Sequence, residues 1–304
     1  MANTVYDNFF LSNEIEDQYQ SHLDLQQFCT VDNNLTGVAG MVRKIHKYKA
    51  TDGTEKLTMG NGNTKTIEAG YTEKEYRIQM AQNRFQYYDE EAMTDPMVIT
   101  TGTRHAGTDM FNTVNADIFS AFNEATMTIV TTALGFDAFV DGAAMLNLEN
   151  LEGVTIFGFV NPADMAKLRK ALKDDLKYVE AYAKQGYVGT VGGINIYTKK
   201  NAETGKVVIA TKEAVTLFNK KGTEVEQERE GNIRRNTVYS RKYYLAAMTN
   251  EAKAVKIIVG SAKTTADETV QSKKVYYKPS GIGYVVGTPK TNPKTEGFYE
   301  ITAA

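Results

Sequence analysis

Residues 37–89 place the tightest constraint on what this chain can fold into. MVRKIHKYK (41–49) reads as a strongly basic strand, followed by the turn signals TDGT (51–54) and GNGN (60–63). EKEYRIQMAQNRFQYYDEE (73–91) then alternates, with Tyr76, Ile78 and Met80 on one face and Glu75, Arg77 and Gln79 on the other. The apolar face is thin for so long a hairpin, and two strands alone are marginal in water. The region therefore predicts a polar, finger-like excursion that becomes ordered against another chain.

A second stretch, GFVNPADMAKLRKALKDDLKYV (158–179), runs an apolar strand straight into a helix. Asn161 is a good N-cap and Pro162 fits the first helical position, where a missing N–H costs nothing. Phosphate-binding turns of this shape use glycines and leave the helix N-terminus free for the anion. Here the turn has no glycine, and Asp164 puts a carboxylate where the phosphate would sit. That carboxylate complements the helix dipole. The turn is built to hold a helix rather than a nucleotide.

Composition narrows the function classes. A chain of 304 residues buries a large core and has room for two domains. A net charge of -2 provides no overall basic field to grip nucleic acid by its phosphates. Cys29 is the single cysteine, which excludes an intrachain disulfide framework, and beside Phe28 it reads as a small buried residue rather than a nucleophile. The N-terminus has no basic region ahead of an apolar stretch, and no run approaches the ~18 apolar residues that span a bilayer. A soluble protein made in a cytoplasm is expected.

Elsewhere the pattern is mixed. Residues 1–36 are polar and weakly periodic, with a helical suggestion over 14–28 and little core of their own. Thr94, Asp95 and Pro96 form a helix start, and Phe111, Val114, Ile118 and Phe122 trace one stripe of a long helix. FDAFVDGAAML (136–146) predicts a short helix and GVTIFGF (153–159) a strand. Met165, Leu168, Leu172 and Leu176 then form the apolar face of the helix from Pro162. KVVIATKEAVTLF (206–218) reads as a central strand. In TEVEQERE (223–230), Glu224, Glu226, Glu228 and Glu230 share a face opposite Val225, so this strand cannot sit in a core. The last stretch, 261–304, reads as a small β appendage.

No constellation for catalysis emerges. His22, His46 and His105 are scattered without metal-ligand spacing, and the acid clusters lack a buried carboxyl beside a polar one. The glutamate face of 224–230 meets Arg229, Arg234, Arg235 or Arg241, in this chain or a neighbouring one, or serves as a charged edge against aggregation. GIGYVVG (281–287) lacks the spacing and the following helix of a dinucleotide loop. No catalytic residue, metal or cofactor is expected.

The order of elements carries a resemblance. RFQYYDEEAMTDPMVITTG (84–102) looks like the return of an extended loop into a spine helix. GFVNPADMAKLRKALKDD (158–175) resembles a strand–Asn-Pro–helix, and NTVYSRKYYLAAMTNEAKAVKIIV (236–259) resembles closing strands. Together, over residues 10–260, they resemble the major capsid protein of tailed double-stranded DNA phages, whose fold is shared with encapsulin shells and the herpesvirus capsid floor. The resemblance implies an α+β capsid fold with an N-terminal arm over 1–36 and an extended loop over 37–93. It further implies a spine helix and peripheral domain over 94–135 and a mixed α/β axial domain over 136–235. Return strands of the peripheral domain fall at 236–260, and a β-rich C-terminal extension at 261–304 departs from the minimal pattern.

By the same resemblance, the chain is a non-enzymatic subunit that assembles with itself into the hexamers and pentamers of an icosahedral head. Expected inter-subunit contacts are Lys56, Lys65, Tyr76, Arg77 and Ile78 on the loop, and Glu224, Glu226, Glu228, Arg234 and Arg235 on the charged strands. Covalent crosslinking through Lys56 or Lys65 is not expected, because no partnered acid is identifiable. The loop begins by Gly37, so a separate scaffolding protein is expected, with a portal protein and packaged DNA held without sequence specificity. A slightly acidic chain suits such a container, since a basic lining would resist passage of the genome. An encapsulin-type compartment and a soluble α/β enzyme are the alternatives.

Overall fold

β-Strands dominate the computed structural model, which describes residues 6–7, 24–37, 40–148, 153–173, 189–272, 274–280 and 283–303. In chain order come β1 (Tyr6–Asp7), a 3-10 turn (Leu25–Phe28), β2 (Thr30–Asp32), β3 (Val42–Ala50), β4 (Ala69–Arg77) and β5 (Gln79–Tyr88). Next are α1 (Asp89–Thr94), α2 (Met97–Asn123), β6 (Met127–Thr131), α3 (Phe136–Met145), β7 (Ile156–Val160) and α4 (Pro162–Ala171). The remainder is strand: β8 (Thr190–Val191), β9 (Ile194–Thr198), β10 (Lys206–Thr211), β11 (Val215–Glu230) and β12 (Arg235–Met248). Last come β13 (Ala254–Thr265), β14 (Val275–Ser280), β15 (Gly283–Val286) and β16 (Tyr299–Ala303). The chain divides into two units, one of Met1–Gln18, Asp32–Met110 and Phe218–Leu245, the other of Tyr19–Val31, Phe111–Leu217 and Ala246–Ala304.

In the first unit, β3 and β4 form their own antiparallel pair, from Val42 opposite Arg77 to Ala50 opposite Ala69. The alternating run 73–91 is not one strand. It breaks at Ile78, which is buried and donates its N–H to the Met41 carbonyl at 2.8 Å. Beyond the break, β5 joins a different sheet, in the order β1-β11-β12-β5, pairing antiparallel with β12 from Tyr244 opposite Gln79 to Arg235 opposite Tyr88. Tyr87, Val225 and Val238 bury a small core there, with Phe85, Val98 and Ile99 packed against it. Val225 is thus the apolar exception its strand pattern marked.

The helix start falls at Met97, whose N–H meets the Asp95 carboxylate at 2.9 Å, and the short α1 before it went unread in the sequence. Threonines inside α2 are accommodated by back-bonding, as Thr103 Oγ1 donates to the Ile99 carbonyl at 2.9 Å.

The second unit is built on a nine-stranded sheet in the order β16-β14-β15-β6-β13-β10-β7-β9-β8. β7 is buried along its whole length, between β10 (antiparallel) and β9 (parallel). The stripe Phe111, Val114, Ile118 and Phe122 is buried, and Phe122 meets Phe157 edge-on at 5.7 Å. Met165 and Leu168 of α4, and Leu172 just past its end, are likewise buried, each burial contributing about 1.5–3 kcal/mol. Leu176 lies outside the described residues.

Two expectations need correction here. KVVIATKEAVTLF splits into β10 and β11, because Ala214 N–H turns back to the Thr211 carbonyl. Residues 24–29, from the segment with little core of its own, lie on the rest of the second unit. Leu25 and Cys29 are buried, and Phe28 packs against Phe157, Phe159 and Tyr197 within this unit. Of the helix expected over 14–28, only a 3-10 turn at its end falls among the described residues. Finally, 261–304 is no separate appendage. β16 pairs with both β14 and β13, closing β13, β6, β15, β14 and β16 into a ring of strands. Ile258, Tyr277 and Ile301 pack together within it.

Candidate assembly surface

The β3–β4 hairpin is held by polar contacts more than by apolar ones. Lys44 Nζ lies 2.5 Å from Glu73 and 2.7 Å from Glu75, and His46 lies 3.2 Å from Glu73 and stacks on Tyr71. The Lys44 ammonium, by its hydrogen bond, holds the Glu73 carboxyl below its ordinary value. Lys74 sits over the Tyr76 ring at 4.9 Å. Past the ladder, side chains continue the pairing. Glu55 accepts the Thr64 N–H and hydroxyl at 2.9 Å each, and Asn63 donates to the Gly53 carbonyl at 3.1 Å. Gly53 is required there, since an added Cβ would fall 2.5 Å from Ile67.

What the hairpin does not do is cover its own apolar side chains. Val42, Leu57, Met59, Ile67 and Tyr71 are all more than half exposed. Lys56 and Lys65 lie exposed in the same segment, and Arg77 is exposed at its foot. Tyr76 is half-buried, and Ile78 is buried in its own chain, so Ile78 anchors the hairpin root rather than presenting a contact. At that root Lys220 donates to the Gly40 carbonyl at 2.7 Å and Arg43 lies over Phe218 at 5.5 Å.

The charged strands pair within the chain. Along β11, Glu226 meets Arg241, Glu228 accepts the Tyr239 hydroxyl at 3.3 Å, and Glu230 meets Arg235 at 2.6 Å. Glu224 meets Lys221 at 2.9 Å. The acid cluster at the start of α1 is engaged as well. Asp89 meets Arg229 at 2.6 Å and Asn236 at 2.6 Å, and the Arg229 guanidinium, with the Asn236 amide, lowers the Asp89 pKa. Arg234 pairs with Glu90 from a left-handed backbone conformation, φ 51°. Within the chain, Glu226 and Glu230 of the glutamate face have arginine partners, Arg241 and Arg235. Sequence reading missed a groove of about 630 Å³ between β5 and the first half of α2, walled by Phe85, Met97, Val98, Gly102 and Ala106.

The strand–Asn-Pro–helix turn is scaffolding. Asn161 Oδ1 accepts the Ala163 N–H at 2.8 Å while its amide donates to the Ala202 carbonyl at 2.6 Å. Asp164 is buried and accepts the Gly205 N–H at 2.6 Å, with Lys167 at 3.2 Å. The helix start thus fastens the 199–205 loop and offers no open anion site. Burial pushes the Cys29 thiol up to about 12, which removes it as a nucleophile. Among the described residues, no group of three or more His, Cys, Asp or Glu is arranged to hold a metal, and no helix is long and apolar enough to cross a membrane. His22 and Gly281 lie outside the described residues.

The hairpin is thus an apolar finger left exposed beside strands that carry paired charges, and the fold that bears it is one that solved capsid proteins share. Solved structures of the same fold include the mature capsid of bacteriophage PhiM1, with TM-score 0.62 and 10% identity over 78% of this chain and 87% of that one. They also include the holo-SrpI encapsulin complex from Synechococcus elongatus, with TM-score 0.54 and 9% identity over 77% and 86%. In sequence, the chain is similar to the major capsid protein of Staphylococcus phage phiMR11, 27% identical over 264 residues that span 80% of this chain and 90% of that protein. No family model matches the chain. The resemblance to phage major capsid proteins and the α+β capsid fold both hold.

Proposed function

We propose that the chain is the structural subunit of a phage head, self-assembling into hexamers and pentamers of an icosahedral shell around double-stranded DNA. The observation that carries this is the β3–β4 hairpin, whose apolar side chains stay uncovered on a chain similar to a phage major capsid protein. A shell covers them by laying each hairpin across a neighbour, and many modest contacts then sum through multivalency. In this reading 1–36 is the arm, 37–93 the extended loop, 94–135 the spine helix and peripheral domain, and 136–235 the axial domain. Residues 236–260 return to the peripheral domain and 261–304 is an extension. Lys56, Lys65, Tyr76 and Arg77 face a neighbour on one side. Glu224, Glu226, Glu228, Arg234 and Arg235 do so by exchanging their present partners, or by presenting paired charge to the next copy.

The role is structural and non-enzymatic, in the capsid of a virion assembled in the host cytoplasm. A separate scaffolding protein and a portal are the expected partners, with the genome held without sequence specificity. An encapsulin-type compartment shares the fold, but the likeness in sequence favours the phage reading.

The test is deletion of residues 51–63 followed by electron microscopy and denaturation. The expected variant is a folded subunit that forms no shells, while the wild-type chain forms them. A deletion that unfolds the subunit would place the hairpin in the core and overturn the assignment. Wild-type particles that enclose a protein cargo instead of nuclease-protected DNA would favour the compartment.

A further inference from the structure

The chain contains a single Asn-Gly pair, Asn61–Gly62, in the segment that links β3 to β4. In such a pair the backbone nitrogen of the second residue reaches the asparagine side-chain carbonyl with least hindrance, because glycine carries no side chain and its backbone is permissive. Whether the two groups meet then depends on what holds them. Both residues are exposed and lie outside any strand. A Cβ at Gly62 would meet nothing within 4 Å, and the Gly62 N–H has no hydrogen-bond partner among the described residues. The opposing contact is one exposed hydrogen bond, donated by the Asn61 amide to Thr58 Oγ1 at 2.9 Å. Water competes for that bond, so it restrains the side chain weakly.

The two Asp-Gly pairs, which could follow the same chemistry, lack this freedom. Gly53, after Asp52, is buried, and an added Cβ would fall 2.5 Å from Ile67. Gly142, after Asp141, is buried within α3, and an added Cβ would fall 2.6 Å from Ile209. Asn161 and Asn292 precede prolines, which have no N–H to give up.

We infer that Asn61–Gly62 is a self-modification site, where the fingertip converts its own asparagine into aspartyl and isoaspartyl residues. The Gly62 nitrogen loses its proton to solvent base and attacks the Asn61 side-chain carbonyl carbon, forming a C–N bond. The Cγ–Nδ2 bond breaks, and ammonia leaves with a proton from water. Water then opens the succinimide ring at either carbonyl. One opening gives aspartate on the ordinary backbone; the other routes the main chain through the side-chain carbon and lengthens it by one methylene. One water is consumed and one ammonia released, with no change in oxidation state. Just beyond residue 61, Asn63 donates to the Gly53 carbonyl at 3.1 Å and Thr64 donates to Glu55 at 2.9 Å. A lengthened main chain displaces both from their partners and loosens the tip, and either product adds a carboxylate beside exposed Lys56 and Lys65.

The test ages the purified full chain in mildly alkaline and mildly acidic buffer and maps aspartyl and isoaspartyl products by chromatography and peptide mass spectrometry. Residue 61 is expected to convert at least about tenfold faster than any other asparagine, and faster in the alkaline buffer. Conversion at 61 no faster than elsewhere would overturn the inference. Gly62 does not use left-handed backbone space, so Gly62→Ala is expected to melt like the wild type while converting at least about tenfold more slowly. Equal conversion in that variant would overturn the route through the Gly62 nitrogen. Hydrogen exchange at the Thr64 amide is expected to quicken as the wild type ages, and to stay constant in Gly62→Ala. Unchanged exchange in fully converted wild type would overturn the loosening of the tip.

Discussion

The buried carboxylate of Asp164 and the backbone N–H of Gly205 meet at 2.6 Å, joining the first turn of α4 to the loop that enters β10. Gly205 is itself tied onward, accepting the Val259 N–H at 2.7 Å. Asp164→Ala strands a buried donor and is expected to lower stability by about 1–3 kcal/mol in chemical denaturation. Asp164→Asn keeps an acceptor oxygen and should cost less. Equal losses from the two substitutions would show that the charge, not the acceptor, matters.

Gly102 offers a reversal of the usual helix rule. Replacing an exposed mid-helix glycine by alanine normally stabilises by about 1 kcal/mol. Here an added Cβ would fall 2.2 Å from the Phe85 ring, so Gly102→Ala is expected to destabilise by about 1–3 kcal/mol. Combining it with Phe85→Leu should recover part of the loss in a double-mutant cycle read by thermal melting.

How much of this was legible beforehand differs by range. The Asn161 cap, the Val225 exception and the α2 stripe follow from periods of two and 3.6 and from local capping chemistry, so they show in the sequence. The partner of Asp164 sits 41 residues away and does not. The break at Ile78 is equally hidden, because alternation continues through it. Only the Met41 carbonyl and the pairing of β5 with β12 decide that two sheets part there. The ring closed by β16 is invisible for the same reason, since its register links strands far apart in the chain. At the candidate surface, alternate glutamates announced a charged face, while the exposure of Leu57, Met59 and Ile67 depends on what the rest of the chain leaves uncovered.

The hairpin should respond to acid. Glu73 has its pKa lowered from 4.5 by Lys44, so its contribution is fully present above pH 4.5 and is lost as the pH falls through the lowered value. Lys44 is raised from 10.5, so its contribution is complete below that pH and fades only on strong alkalinisation. Hydrogen-exchange protection of the β3–β4 amides is expected to fall below pH 4.5 and to weaken at high salt. Glu73→Gln should lower protection at neutral pH and flatten the acid step.

Closure of the C-terminal ring predicts that Ile301, buried with Ile258 and Tyr277, supports the whole second unit. Ile301→Ala should cost about 2–5 kcal/mol by denaturation. Removing 299–303 should destabilise far more than trimming a tail would. A truncated chain that melts like the full-length protein would mark β16 as dispensable.

The root of the hairpin is also a mechanical element. Two hydrogen-bonded ladders end on either side of Ile78, and between them run the covalent backbone, the Ile78–Met41 bond, the Lys220–Gly40 bond and the stacking of Arg43 on Phe218. A load applied at the fingertip reaches the body through those few ties. The joint is therefore expected to yield before either ladder unzips, so that the finger bends without being unravelled.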